Sequence, residues 1–438
     1  MIKLNNKTTH VDKLILGGGV SAISFAHFYD KDDYLIIEKT DKLGGLCKSF
    51  KVGESIFDYS GHFLHFNNVH MRNYISALLK KYAVGEFLEY SRNANICLTK
   101  NGKIHTSVDY PFQVNIHQLE KNDFIECLIG LYNTTDSHLE LKTFADKIFH
   151  TFGKGIRDKF FKPYNEKLYC TDLETLDAKA MQRFLPTITF EDVMKNISNP
   201  GSFGYNSTFL YSPTTGIQGV LTALLSGKNV KYALNEEVLQ IDTVNKTVLT
   251  DKRRITYKTL INTLPLSIFN KLTVQQDTSL ELHSVDVDVY NITYTTDCSN
   301  IKNASWTYFP DKEVPFYRVG FYNQIVESEK TSVYVEVSKK TGDTTKYTLH
   351  EISEILKKIN VIKSSAEMQE SQHLTMSPAY VIFDTNTEKE VIDYCELLKC
   401  FDIHMLGRYG NWTYSSIEDD IIKAQQLAIK LLNTTNIN

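Results

Sequence analysis

At 438 residues, 42% hydrophobic and 12% aromatic, the chain is too long for one compact core and has enough apolar side chains to build two or three. Lys and Arg total 48 against 52 Asp and Glu, a net charge of -4, so no global field draws it to nucleic acid or to an anionic membrane surface. The seven cysteines (Cys47, Cys97, Cys127, Cys170, Cys298, Cys395, Cys400) include no CxxC pair, which argues against a disulfide framework or any metal site and for thiols in a reducing compartment. The opening MIKLNNKTTHVDK lacks an apolar core with a small-residue cleavage site, and no later stretch approaches a membrane span, so the expected location is the cytoplasm.

In chain order, Leu14-Ile15-Leu16 enters a glycine cluster, Ala22, Ile23, Phe25 and Ala26 follow at helical spacing, and Tyr34 to Ile37 is again apolar: a strand, turn, helix, strand unit. Residues 69–82 read as a helix, and residues 95–98 and 103–105 as a hairpin about Asn101-Gly102. From Leu119 to Phe184 the spacing is helical, with Gly153 placed to end the helix that carries Phe144, Ile148, Phe149 and Phe152. Short strands are expected at 238–242, 247–249, 255–257 and 260–263. The alternation Val285, Val287, Val289 and Val333, Val335, Val337 reads as half-buried antiparallel strands of a separate sheet. A last strand, 403–406, leads through Gly407 into a helix carrying Ile421, Ala424, Leu427, Ala428 and Leu431.

Gly17-x-Gly19-x-x-Ala22 sits between strand and helix, where a dinucleotide needs a tight turn, close backbone approach and N–H groups aimed at pyrophosphate. Glu38 ends the second strand, at the spacing for a carboxylate on the adenosine ribose, with Lys39 beside it. NAD and FAD both suit such a unit. Gly44-Gly45-Leu46 and then Phe57-Asp58-Tyr59-Ser60-Gly61-His62 resemble the amine-oxidase-like branch of FAD-binding proteins, and Gly407-Arg408-Tyr409-Gly410 stands where such proteins close on the flavin. The expected fold is therefore α/β: a Rossmann-like FAD-binding domain (1–82, 205–268 and 386–438), a helical insertion (118–204) and an antiparallel-sheet substrate domain (83–117 and 269–385), interleaved in sequence. Val238 and Asp419 join the expected cofactor contacts.

Four further segments carry a more specific resemblance. Residues 110–116 (YPFQVNI), 161–167 (FKPYNEK), 306–310 with 315–318 (WTYFP, PFYR) and 407–414 (GRYGNWTY) are similar to the UDP-galactopyranose mutase family, especially its eukaryotic type, and they occur in order along the chain. The resemblance implies that Phe112 stacks on uracil and Gln113 reads its edge. It further implies that Tyr110, Asn165, Trp306 and Tyr308 line the nucleotide pocket, with Arg183 and Arg318 on the diphosphate together with Tyr380 and Tyr414. Asn206 and His62 would lie beside sugar and flavin; His62, Arg183 and Arg318 are the implied catalytic set. Singly, each residue also fits a plainer role, as core aromatic, surface ion-pair partner or structural histidine.

The activity implied is interconversion of the pyranose and furanose forms of a UDP-sugar, UDP-galactose first, with N5 of reduced FAD attacking the anomeric carbon. Guanidinium forks suit a pyrophosphate held both as ester and as departing anion. NAD(P)H as a transient reductant, a role in cell-surface polysaccharide synthesis and a homo-oligomer are compatible with the resemblance. Two positions depart from it: Tyr169 stands where the family has tryptophan, so pocket shape near the sugar is expected to differ, and residues 379–384 lack the usual proline. The rival readings are an oxidase or dehydrogenase of the amine-oxidase or protoporphyrinogen-oxidase kind, a related nucleotide-sugar-modifying flavoenzyme, and a nucleotide-sugar-binding protein that keeps FAD structurally.

Overall fold

The computed structural model describes residues 8–134, 141–178, 188–198, 208–275, 280–326, 328–384 and 387–435. Strand β1 (Thr8–Leu16) carries the fully buried Leu14, Ile15 and Leu16 into the glycine turn, α1 (Val20–Tyr29) follows, and β2 (Tyr34–Ile37) lies parallel to β1. The chain then leaves this layer through the hairpin β3 (Ser49–Val52) and β4 (Ser55–Asp58), helix α2 (Val69–Lys81), and strand β5 (Leu88–Ser91). The expected hairpin follows as β6 (Ala94–Lys100) and β7 (Lys103–Asp109); Asn101 and Gly102 have φ of 55° and 70°, as a tight two-residue turn of this hand demands.

Helices α3 (Lys121–Tyr132), α4 (Phe144–Ile156), α5 (Lys162–Tyr169) and α6 (Phe190–Ser198) form the insertion, with a π-helical turn at Arg157–Phe161 between α4 and α5. Gly153 breaks the helix that carries Phe144, Ile148, Phe149 and Phe152, as expected. It kinks the backbone (φ 75°, ψ 173°), which runs on to Ile156. A Cβ there would lie 2.3 Å from the Gly130 carbonyl carbon, so this glycine lets α4 touch the backbone of α3.

The return path is β8 (Thr208–Tyr211), α7 (Gln218–Leu225), β9 (Tyr232–Ala233), β10 (Val238–Asp242), β11 (Thr247–Thr250), β12 (Arg254–Asn262) and α8 (Leu266–Leu272). Then come β13 (His283–Tyr294), β14 (Trp306–Tyr308), β15 (Arg318–Phe321), β16 (Thr331–Lys340), α9 (Leu349–Lys358), β17 (Met368–Ile382), α10 (Thr387–Lys399), β18 (Ile403–Met405) and α11 (Ile417–Thr435). One sheet has the order β10-β11-β12-β1-β2-β9, with β18 also on β12; the other runs β17-β13-β16-β15-β14-β6-β7 and is antiparallel except where β14 meets β6. The architecture is α/β, a Rossmann-like unit with a helical insertion and a separate sheet. Among the described residues, no helix is long and apolar enough to cross a membrane.

Two expectations need correction. The strands read at 255–257 and 260–263 are one strand, β12: its first half pairs with β11 and its second half with β18, along the same edge. The valine-alternating strands are not half-buried, since Val287 is 0% and its neighbour Asp288 1% exposed. Both faces of that sheet are covered, one by the aromatic core containing Phe57, Tyr317 and Tyr334, the other by α9 and the Phe309, Phe316 cluster.

Candidate active site

A cavity of about 920 Å³ runs from the first glycine turn, past the second, to the inner face of the β13–β17 sheet and the start of α5. Its glycine end is built by close backbone approach. Gly44 N–H donates to the Gly18 carbonyl at 2.7 Å, and a Cβ on Gly45 (φ +56°) would stand 3.0 Å from Gly19 Cα. Gly17 has φ +88° and would meet the Thr263 hydroxyl. Two glycine turns therefore pack back to back with no room for side chains, which leaves a cradle of backbone. Glu38 accepts the Gly18 N–H at 2.8 Å and the Thr40 N–H and hydroxyl at 2.9 and 2.7 Å, and keeps acceptor capacity toward the cavity.

Gly17, Gly19, Glu38, Lys39, Gly44, Gly45, Leu46, Gly61, His62, Val238, Gly407, Arg408 and Tyr414 all border the cavity. Ala22 does not; it is fully buried in the core between α1 and α11. Asp419 does not either: its carboxylate accepts the Ser416 N–H and hydroxyl, both at 2.8 Å, and caps α11. The acid that borders the cavity is its neighbour Asp420, which accepts the Arg408 N–H at 3.2 Å and the Ser415 hydroxyl at 2.7 Å. Burial raises its pKa, opposed by the bonds from Ser415 and Arg408.

At the other end, Tyr110, Gln113, Asn165, Tyr308, Arg318 and Tyr380 border the cavity. Phe112 stands behind the wall, 0% exposed and stacked 5.1 Å from Phe160, which itself lines the cavity with Tyr164. Trp306 is likewise set back, stacked on Phe63 and donating its indole N–H to the Tyr308 hydroxyl at 2.8 Å. Tyr169, at the tryptophan position, is buried and does not line the cavity, so the exchange leaves the wall to Leu168. Arg183 and Asn206 lie outside the described residues.

Arg318 has a partner that its own segment does not announce. On β15 it pairs across the sheet with Glu336 on β16, which is 0% exposed. Nε donates to Oε2 and Nη2 to Oε1 at 2.8 Å, while Nη2 also reaches the Ser60 hydroxyl at 3.1 Å; Ser60 donates in turn to Glu336. Burial disfavours the Arg318 charge, but the Glu336 carboxylate outweighs it and the pKa stands well above the usual arginine value. His62 is the opposite case. Burial pushes its pKa down to about 4, with Glu336 opposing, so the imidazole is neutral near pH 7.

The residues fit a bound dinucleotide. His62 Nδ1 and Arg408 Nε are buried with no hydrogen-bond partner among the described residues, and both belong to side chains on the cavity wall. Orphaned polar atoms of this kind around a glycine cradle are what a flavin with its ribityl and phosphate groups would satisfy. Arg408 is ringed by Tyr380, Tyr409 and Tyr414 at 5.8, 5.7 and 5.4 Å and donates only to the Ser415 carbonyl among contacts resolved for its side chain.

Residues 159–368 match the family model of UDP-galactopyranose mutase, and residues 15–80 that of the NAD(P)-binding Rossmann-like domain. Over residues 159–368, just under half of the chain, the sequence is similar to UDP-galactopyranose mutase. The chain's fold is similar to that of a crystal structure of reduced UDP-galactopyranose mutase (21% identity, 97% of this chain and 96% of that one, TM-score 0.85). It is also similar to a candidate protoporphyrinogen oxidase from Exiguobacterium sp. 255-15 (12% identity, 98% and 99%, TM-score 0.72) and to a redesigned putrescine oxidase (14% identity, 98% and 100%, TM-score 0.66). At these identities the structural likenesses speak for fold, and the mutase-like reading of segment 159–368 comes from the sequence match. That segment holds Tyr308, Arg318 and Glu336, polar residues of the cavity wall away from the glycine turns.

Proposed function

We propose that the chain, loaded with FAD in its reduced form, interconverts the pyranose and furanose forms of UDP-galactose. One observation carries the reading: the glycine cradle and the Arg318, Tyr308, Tyr380 wall belong to a single continuous cavity. When bound, reduced FAD supplies a nucleophilic nitrogen, so that ring form can change at the anomeric carbon without net oxidation. The chain supplies the rest. Arg318 stabilises charge that develops on the β-phosphate as the sugar–phosphate bond breaks and retains the departing UDP for its return. Glu336 and Ser60 hold the guanidinium in one plane, so little reorganisation accompanies that change. Gln113 and Asn165 bound the end assigned to the uracil, with Phe160 and Tyr164 as its aromatic wall. His62, neutral near pH 7, serves by orientation and not as a proton donor. NAD(P)H or another outside donor reduces the flavin.

The test is to incubate the dithionite-reduced, FAD-loaded protein with UDP-galactopyranose and separate the furanose product by chromatography. No turnover, with no UDP binding at millimolar concentration, would end this reading. Amine-dependent oxygen consumption would favour an oxidase, for which a charged Arg318–Glu336 wall offers an apolar amine nothing to recognise.

A further inference from the structure

Tyr169 ends α5 and Tyr414 lies in the segment leading into α11, yet their hydroxyl oxygens stand 2.8 Å apart. The Tyr414 hydroxyl is also 2.6 Å from the Val381 carbonyl oxygen, near the end of β17. A phenol has one proton to give and a carbonyl only accepts, so Tyr414 donates to Val381 and Tyr169 donates to Tyr414. Three segments remote in sequence thus converge on one hydroxyl. Tyr414 borders the cavity and Tyr169, 1% exposed, stands behind it. The Tyr414 ring packs 5.4 Å from the Arg408 guanidinium. With its proton committed to Val381, Tyr414 has no donor left for a phosphate oxygen, which can only accept. What it offers the cavity is a ring and a fixed wall for Arg408.

We propose that Tyr169 is a positioning residue: its hydroxyl locks Tyr414 to the end of β17, sets Arg408 against the cavity, and withholds the Tyr414 hydroxyl from the diphosphate of a bound nucleotide. The proposal rests on the reading of the cavity as a UDP-sugar site. It removes Tyr414 from the diphosphate ligands that the family resemblance implies and leaves Tyr380 as the tyrosine able to serve there.

The experiment compares FAD-loaded wild type with Tyr169→Phe, Tyr414→Phe, the double variant and Tyr380→Phe, reading UDP affinity by calorimetry, kcat and KM with UDP-galactose, and the flavin absorbance spectrum. Tyr414→Phe is expected to bind UDP within about twofold of wild type, while Tyr380→Phe, losing a hydrogen bond to a charged group, weakens it by about tenfold. Both Tyr169→Phe and Tyr414→Phe lower kcat with KM held, and the double variant is no slower than Tyr414→Phe alone, since the two changes break the same bond. UDP binding about tenfold weaker in Tyr414→Phe would make its hydroxyl a diphosphate ligand and overturn the proposal. Multiplied losses of kcat in the double variant would overturn it too. If wild type binds no UDP, the UDP-sugar reading fails and the flavin spectrum carries the test: a double variant matching Tyr414→Phe supports the lock, and summed shifts refute it.

Discussion

Glu336→Gln perturbs a buried ion pair in the cavity wall. Glu336 is fully buried and meets Arg318 through two parallel hydrogen bonds, while the Arg318 side chain retains 19% exposure. Removing one charge of a buried, hydrogen-bonded pair destabilises by about 3–5 kcal/mol, because the remaining charge stays desolvated; the amide's own hydrogen bonds and the partial exposure of Arg318 place this variant near the lower end, about 3 kcal/mol. At roughly 2 °C per kcal/mol for a large cooperative unit, the unfolding midpoint of the UDP-free protein falls by about 6 °C. The nucleotide adds a second, opposite effect. In wild type the guanidinium is neutralised before any diphosphate arrives, whereas in the variant the diphosphate is its first full counter-charge. UDP therefore raises the midpoint of Glu336→Gln by more than it raises that of wild type. Thermal unfolding of the FAD-loaded proteins with and without saturating UDP reads both effects. A variant that melts with wild type and gains no more from UDP would refute the reasoning.

Arg318→Ala should abolish turnover with flavin still bound and should also lower stability, since it strands the Glu336 carboxylate; normal rates would remove Arg318 from the diphosphate set. Gly45→Ala forces a Cβ to 3.0 Å from Gly19 Cα at a φ of +56°, so flavin occupancy, read as the flavin-to-protein absorbance ratio of purified protein, should fall sharply. Asp58 ends β4 and is fully buried, and burial pushes its pKa from 3.8 up to about 7, opposed by the Ser49 hydroxyl at 2.5 Å and the Ile217 N–H. The folded state thus holds a proton that the unfolded state releases between those values, so this group makes wild-type stability fall as pH rises from about 4 to about 7 and adds no further slope above. Asp58→Asn should flatten the midpoint-versus-pH profile in that window and gain on wild type most above pH 7; equal slopes would show that Asp58 does not titrate there.

Much of the fold is legible where local chemistry leaves one solution. The turn at Asn101-Gly102 needs two left-handed residues, and the glycines at 17, 44 and 45 need space that no side chain permits. The reading fails where burial depends on remote partners. Valines alternating with Asp286 and Asp288 read as a strand with one wet face, because an isolated carboxylate belongs in water. Asp288 is nonetheless buried, held by Lys339 at 2.7 Å and the Thr375 hydroxyl at 2.6 Å, from strands on either side. Lys258 and Thr259 likewise interrupt an apolar run and make β12 look like two strands, although its hydrogen bonds merely change partner from β11 to β18.

The same limit explains the site. Val-Tyr-Val-Glu-Val at residues 333–337 is indistinguishable from any edge of alternating pattern until register sets Glu336 opposite Arg318. Likewise, Glu418, Asp419 and Asp420 form one acidic run; successive helical residues point about 100° apart, so one caps Ser416 and the next turns to Arg408. In each case the residue type was visible and the direction was not. Direction is what decides the chemistry of Arg318. Glu336 takes its Nε and Nη2 edge, which orients the fork and leaves the Nη1 side as the one able to meet an anion. A diphosphate at this wall would therefore share the guanidinium with the carboxylate instead of displacing it, and release of UDP would leave no bare charge behind.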